Sequence, residues 1–321
     1  MPRERVRRLS QAIEVDAPAG VVYTLIASAE RRPLYFASNV YVERLDWYDV
    51  RGPSERLRVW ALADGEVRSW TSDRVQDSAR RTLSFRHDRN TEPAASTGGT
   101  ASVQPLGPDR CRLTVEHALT FPDDSLEGAA CLERNITATT RADLKNLRFL
   151  AERWDRLDEL LLSFEESVRI EGPAERVHSF LYDVESWFKH LPHVRGVHLT
   201  EPQTGVQKVT MALDADGGTE QDITSVRLCF PHAGRIVHKE TKPRKLLAAH
   251  CGEWSIVSDE NGATVTSQHH VVLREQDVEQ VLGPGAGLGD ARRHVRAELG
   301  DETVRALHLA QEHAESAGRA A

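Results

Sequence analysis

The residues best placed to do chemistry sit two apart in the run VRSWTSDRV: Trp70, Ser72 and Arg74. In a strand, alternate side chains share a face, so the indole, the hydroxyl and the guanidinium project together while Thr71, Asp73 and Val75 point the other way. A fixed cation beside a hydroxyl can stabilise negative charge as it develops on an oxygen. Arginine stays protonated at neutral pH and is no conventional base, which leaves proton transfer to Ser72, a tyrosine, His117 or bound water. Taken alone, an arginine on an antiparallel strand is more often solvated or ion-paired. The pattern returns, however, in Ile223-Thr224-Ser225-Val226-Arg227, where Ser225 and Arg227 keep the hydroxyl and the cation without the indole. His117 in LTVEHAL is likewise answered by His269 in VTSQHHV, although a strand histidine is more often a satisfied core or surface residue than a catalyst.

Other groups carry less. His190 and His193 in HLPH could share a metal, but no third ligand stands at a diagnostic spacing, so no metal site is expected. His269 and His270 are neighbours on a strand and point to opposite faces, which prevents easy joint chelation. The glycine-rich GPGAGLG at 283–289 follows QDVEQVL instead of a strand and lacks the Lys-Ser/Thr of a phosphate loop, so it reads as a mobile loop before the last helix. Cys111, Cys131, Cys229 and Cys251 form no Cys-x-x-Cys pair and read as reduced thiols, mostly in the core.

The elements that must position these groups occur twice. Residues 12–42 have a counterpart at 167–197, with Pro18 answering Pro173, and the separation of matched residues drifts from 155 positions there to 152 at His117 and His269. Loop-length differences between two copies of one fold leave such a drift. In each copy a short alternating strand precedes a Pro-Ala helix start, as in Ile13 and Val15 before Val21, Val22, Leu25 and Ile26. Strands are expected near 39–47, 55–63, 66–76, 80–87, 99–106 and 110–121. A long helix closes the copy over about 128–161, where Ile136, Leu144, Leu147, Leu150, Trp154, Leu157 and Leu161 recur at helical spacing. The second copy runs from a strand at 163–171 to a helix near 290–316. Two α+β domains, 1–160 and 161–321, follow.

Composition agrees with a globular chain of that size: 321 residues, 40% hydrophobic and 28% charged. The net charge of −8 provides no global basic field for nucleic acid or anionic lipid. The basic N-terminus MPRERVRRLS runs into Gln11, Glu14 and Asp16 without an apolar core, and no stretch approaches the length of a membrane span. A cytoplasmic chain that does not span a membrane is expected.

The run VRSWTSDRVQDSARRTLSF, the Pro33 segment before NVYVERL and the closing helix beginning near CLERNITATTRADL resemble the aromatase/cyclases of bacterial type II polyketide synthases, in their di-domain subclass. The resemblance covers almost the whole chain. It implies tandem START-like helix-grip domains, each a curved antiparallel sheet wrapped round a long C-terminal helix to leave an interior pocket. It further implies that Arg74 points into the first pocket with Ser72 and Trp70 lining it, and that Ser225 and Arg227 transfer to the second. A pocket tyrosine of the relatives falls near Asn39, so Tyr35 or Tyr41 would supply any phenol; Trp187 holds an aromatic place where the first copy has Arg32-Pro33. The implied activity is regiospecific aldol closure of a first ring, carbon 7 to carbon 12, with dehydration of a carrier-protein-bound poly-β-ketone and no cofactor. The alternative is a non-catalytic carrier of lipid or polyketide; Arg and Ser inside both pockets favour catalysis.

Two homologous domains in one chain form a pseudo-dimer, so a monomer is expected. The acyl carrier protein of such systems is acidic, and docking it on this acidic chain needs a local basic patch. The segment Lys239-Glu240-Thr241-Lys242-Pro243-Arg244-Lys245 is one candidate, and Arg3, Arg5, Arg7 and Arg8 are another.

Overall fold

A computed structural model describes residues 5–45, 54–88, 96–121, 126–215 and 219–316. The chain divides into two compact units, Met1–Leu157 and Asp158–Ala321. In the first, β1 (Arg5–Val15) leads to α1 (Ala19–Ala27) and α2 (Arg32–Tyr35), then to β2 (Asn39–Arg44), β3 (Ser54–Ala63), β4 (Glu66–Asp77), β5 (Thr82–Asp88), β6 (Ser96–Gly107) and β7 (Arg110–Phe121), and closes with α3 (Leu126–Ala151). A short α4 (Leu157–Leu160) lies at the boundary, and the second unit repeats the plan: β8 (Leu161–Ile170), α5 (Ala174–Tyr182), α6 (Val184–Phe188), β9 (Val194–Gln203), β10 (Val206–Ala215), β11 (Thr219–Phe230), β12 (Arg235–Lys242), β13 (Leu247–Asp259), β14 (Gly262–Leu273), α7 (Val278–Leu282) and α8 (Leu288–Glu315).

Each unit holds one seven-stranded antiparallel sheet. The orders are β1-β7-β6-β5-β4-β3-β2 and β8-β14-β13-β12-β11-β10-β9, the same path traced twice. Burial explains why the strands form as they do: on β4 Ser72 and Arg74 are buried while Asp73 and Val75 are exposed, and this period of two holds the register because a one-residue slip would invert both faces. The β3–β4 hairpin fixes that register at its tip. Asp64 and Gly65 both adopt positive φ, 55° and 76°, the two-residue turn whose twist matches paired strands, and Ala63 then faces Glu66.

The long helices bury apolar faces toward the rest of their units. In α3 these are Leu144, Leu147 and Leu150; in α8 they are Val295, Leu299, Ala306, Leu307 and Ala310. The helix expected to reach residue 161 instead ends at Ala151. Arg153 leaves helical geometry there (φ −120°, ψ 22°), lays its guanidinium 4.2 Å over the Phe149 ring and donates to the Phe149 carbonyl at 3.1 Å, so the helix terminus is satisfied and the chain can turn toward β8. No helix among the described residues is long and apolar enough to cross a membrane.

Candidate active site

The first unit encloses a cavity of about 340 Å³. Leu57, Val59, Ala61, Leu83, Ala101 and Val115 form much of its apolar wall, and Trp70, Ser72, Arg74, His87 and His117 supply polar groups from β4, β5 and β7. Helix α3 contributes Thr140, Asp143 and Leu144 across from the sheet.

Arg74 is 3% exposed and is held from two sides. Its Nη2 donates to the carbonyls of Ile26 and Ala27, at 3.1 and 3.0 Å, the last residues of α1. A helix end leaves such carbonyls without partners and carries partial negative charge, so a guanidinium satisfies both needs. Arg74 Nη1 lies 3.3 Å from Glu55 Oε1, and Glu55 also meets Arg44 at 3.1 Å and accepts from Gln76 at 2.9 Å. Burial first, then the nearby Arg32 cation, lowers the Arg74 pKa to about 9, leaving it protonated at neutral pH. Its Nε and Nη1 make no hydrogen bond among the described residues. Arg74 nevertheless lines the cavity, beside Ser72 and Trp70.

The second unit repeats this clamp with one change. Arg227 donates to the carbonyls of Leu181 and Tyr182, at 2.5 and 3.4 Å, at the end of α5. Its side-chain partner is Gln207 Oε1 at 2.6 Å, a neutral amide where the first unit has a carboxylate. Burial pushes the Arg227 pKa down as well.

Imidazoles complete the first site. His117 Nε2 sits 3.0 Å from Thr140 Oγ1, and burial lowers its pKa to about 4, so the ring is neutral at physiological pH. His87, unflagged in the sequence, meets Ser72 Oγ through Nδ1 at 3.1 Å. Near the α2 end of the cavity Arg32 Nε donates to Asn39 Oδ1 at 3.2 Å, and the Arg32 guanidinium lies 4.2 Å over the Phe36 ring.

The pocket of the second unit holds only about 80 Å³. Trp187, Met211 and Trp254 occupy its wall together with Ser225, Arg227 and three imidazoles. His238, His250 and His269 bring one nitrogen each within 4.8 Å of one another. His250 Nε2 and His269 Nδ1 are 3.0 Å apart in rings only 23° from coplanar and 5.3 Å between centroids, so the two nitrogens face each other along the line joining the rings. That is the geometry of one hydrogen bond, continued from His269 to Thr303 (2.9 Å) and Ser267 (3.1 Å), while Glu240 Oε1 lies 2.9 Å from His250 Nδ1. Burial holds His238 and His269 well below the ordinary imidazole range.

Several sequence expectations land elsewhere. Asn39 lines the first cavity, but Tyr35 and Tyr41 do not: Tyr35 is packed into the core at 2% exposure, and Tyr41 stands against Trp60 with ring centroids 5.3 Å apart. Neither brings a phenol to the cavity. The candidate docking segment is not a solvated basic turn, because Lys239 and Glu240 are buried and Arg244 is 7% exposed. Arg244 Nη2 donates to both carboxylate oxygens of Glu302 at 2.7 Å, and Nη1 lies 2.7 Å from Glu298, both acids arriving from α8. Only Lys242 and Lys245 of its cations face solvent. Of the N-terminal cations, Arg3 lies outside the described residues and Arg7 pairs with Glu133 at 2.7 Å. His190 and His193 do not converge, since His193 turns to Glu302 at 2.7 Å and His190 is exposed.

Comparison with known proteins agrees with this architecture. Residues 6–152 match the family model described as polyketide cyclase/dehydrase and lipid transport. The chain is 36% identical over 313 residues to the actinorhodin polyketide synthase bifunctional cyclase/dehydratase of Streptomyces coelicolor, covering 94% of each. It is 32% identical over 320 residues to the granaticin polyketide synthase bifunctional cyclase/dehydratase of Streptomyces violaceoruber, covering 99% of this chain and 97% of that one. Among solved structures, the di-domain ARO/CYC BexL from the BE-7585A biosynthetic pathway matches with TM-score 0.83 and 37% identity over 96% of this chain and 99% of its own. The di-domain ARO/CYC StfQ from the steffimycin biosynthetic pathway matches with TM-score 0.79 and 26% identity over 97% and 99%. With its twice-traced sheet, its paired arginine clamps and relatives that run nearly its full length, the chain belongs to the di-domain bifunctional cyclase/dehydratases of polyketide synthases.

Proposed function

We propose that the first cavity receives a poly-β-ketone tethered to an acyl carrier protein, closes its first ring by aldol addition between carbon 7 and carbon 12, and promotes the dehydration that makes the ring aromatic. A methylene flanked by two ketones is already acidic, and the hazard is closure of the wrong ring. Folding the chain into one reactive geometry can contribute about 7 to 11 kcal/mol. A well-placed donor on the developing oxyanion adds roughly 3 kcal/mol, and Arg74, which lines the cavity, is the group assigned that part. His117, neutral at pH 7, is available to accept a proton during dehydration.

The observation that carries this reading is the size and wall of the first cavity, about 340 Å³ with Trp70, Ser72 and Arg74 on one strand face. Polar groups of that kind, set in an apolar wall, suit orientation of a polyketone better than passive transport. The second pocket, about 80 Å³, has room for ordered water but not for an extended chain, and its unit is assigned to supporting the fold. The test is reconstitution: the purified chain is added to a minimal polyketide synthase, with and without a ketoreductase, and products are identified. A product closed between carbon 7 and carbon 12 is expected; a product profile unchanged by the chain, or a first ring closed elsewhere, contradicts it. The working state is a monomer, checked by light scattering.

A further inference from the structure

Resting on the reading that the first cavity closes a ring, we propose that Ser72 and His87 act together as its proton-transfer pair. The pair is made by register: β4 and β5 set Ser72 opposite His87 on the cavity side, and Ser72 Oγ lies 3.1 Å from His87 Nδ1. The imidazole is clamped. It meets Trp70 edge to face at 5.6 Å and stacks on Phe85 at 5.1 Å, with planes 27° apart. Phe85 can lie there because the facing residue on β6 is Gly99, where a Cβ would come within 2.7 Å of Phe85 Cζ. Two aromatic contacts and a hydrogen bond therefore hold the ring in one orientation, beside a serine two residues from Arg74.

The chemistry needs this partnership. A serine hydroxyl is too weak a base to take a methylene proton at neutral pH, whereas an imidazole hydrogen-bonded to it can receive the serine's proton as the serine receives another. In the closure step the C–H bond of the methylene breaks. Its proton passes to Ser72 Oγ while the serine proton moves to His87 Nδ1, and the electron pair remains on the substrate as an enolate. The enolate carbon attacks the acceptor ketone, a C–C bond forms, and the carbonyl π pair moves to oxygen. That alkoxide takes a proton from Ser72, which is refilled from the imidazolium, so the pair ends as it began. The second unit keeps a proton-accepting residue at the matched register, with Glu240 opposite Ser225, but directs it to His250 at 2.9 Å.

The experiment uses the full chain in the reconstituted synthase over a series of pH values. His87→Gln and Ser72→Ala are each expected to lower formation of the correct ring, relative to shunt products, by about 10²- to 10⁴-fold and to remove the acid limb of the wild-type pH profile, with the double variant little worse than either. His87→Phe, which keeps the stacking, should lose as much, with melting temperatures recorded for all. Ser84→Ala, on the exposed face of β5, should behave as wild type. A His87→Gln or His87→Phe protein that retains wild-type product ratios and pH profile overturns the pair while leaving ring closure intact. Failure of the wild-type chain to form the ring overturns the reading on which the pair rests.

Discussion

At matched positions on β6 and β13 the two units carry Ala101 and Trp254. The match is structural: Gly99 and Gly252, two residues earlier, are each pressed against the backbone of the next strand, at Glu116 and Gln268, and against an aromatic ring, Phe85 or His238. Ala101 lines the cavity of about 340 Å³ and Trp254 the pocket of about 80 Å³. The buried arginines differ in the same spirit, with Glu55 beside Arg74 and Gln207 beside Arg227. The backbone and its helix-end clamp are therefore common property, whereas space and charge are set by a few side chains. A duplicated fold can keep its frame in both copies and specialise one of them through its wall.

The largest difference expected between the two arginine clamps is in stability. Arg74→Ala breaks a buried ion pair, leaves the 5%-exposed Glu55 carboxylate with Arg44 and Gln76 alone, and leaves two α1 carbonyls without their donor, which should cost about 3 to 5 kcal/mol. Arg227→Ala strands only neutral groups and should cost about 1 to 3 kcal/mol. Denaturant titration measures both, and adding Glu55→Gln to Arg74→Ala, which gives the first unit the neutral partner of the second, should recover part of the loss. Equal costs without recovery would show that the carboxylate does not distinguish the clamps.

A smaller effect concerns acid. The His117 pKa is about 4 in the folded chain against 6.5 for an unperturbed imidazole, so between those values the unfolded chain binds more protons. Its contribution is full above pH 6.5 and falls away as pH drops toward 4, on the order of 3 kcal/mol in total. Burial lowers His238 and His269 in the same direction. Thermal melts from pH 7 to pH 4 should show this decline, and His117→Asn should flatten its share. A decline unchanged by the substitution would place the acid sensitivity elsewhere.

Much of the frame was legible in the sequence because it is written in local periodicity. The alternation across Trp70, Ser72 and Arg74 identified an inward face, and its echo at Ser225 and Arg227 revealed the second copy. What was not legible depends on partners brought from far along the chain. His87 becomes part of the site only through the β4–β5 register, and His238, His250 and His269 meet only once three strands are aligned. Lys239 to Lys245 has the composition of a solvated turn, yet Arg244 is taken up by Glu298 and Glu302 of α8. The phenols of Tyr35 and Tyr41 are legible in the sequence, but Tyr35 packs into the core and Tyr41 against Trp60, and neither lines the cavity.

The claim that the open first cavity forms the ring is tested most directly by exchanging the residues that set the two volumes. Ala101→Trp places in the first unit the side chain that the second accommodates, and Trp254→Ala opens the second. In the reconstituted synthase, with folding confirmed by circular dichroism, Ala101→Trp should abolish the correctly cyclised product and raise shunt products, while Trp254→Ala should leave the cyclised product in place. Loss of that product in Trp254→Ala, with Ala101→Trp still active, would contradict the account.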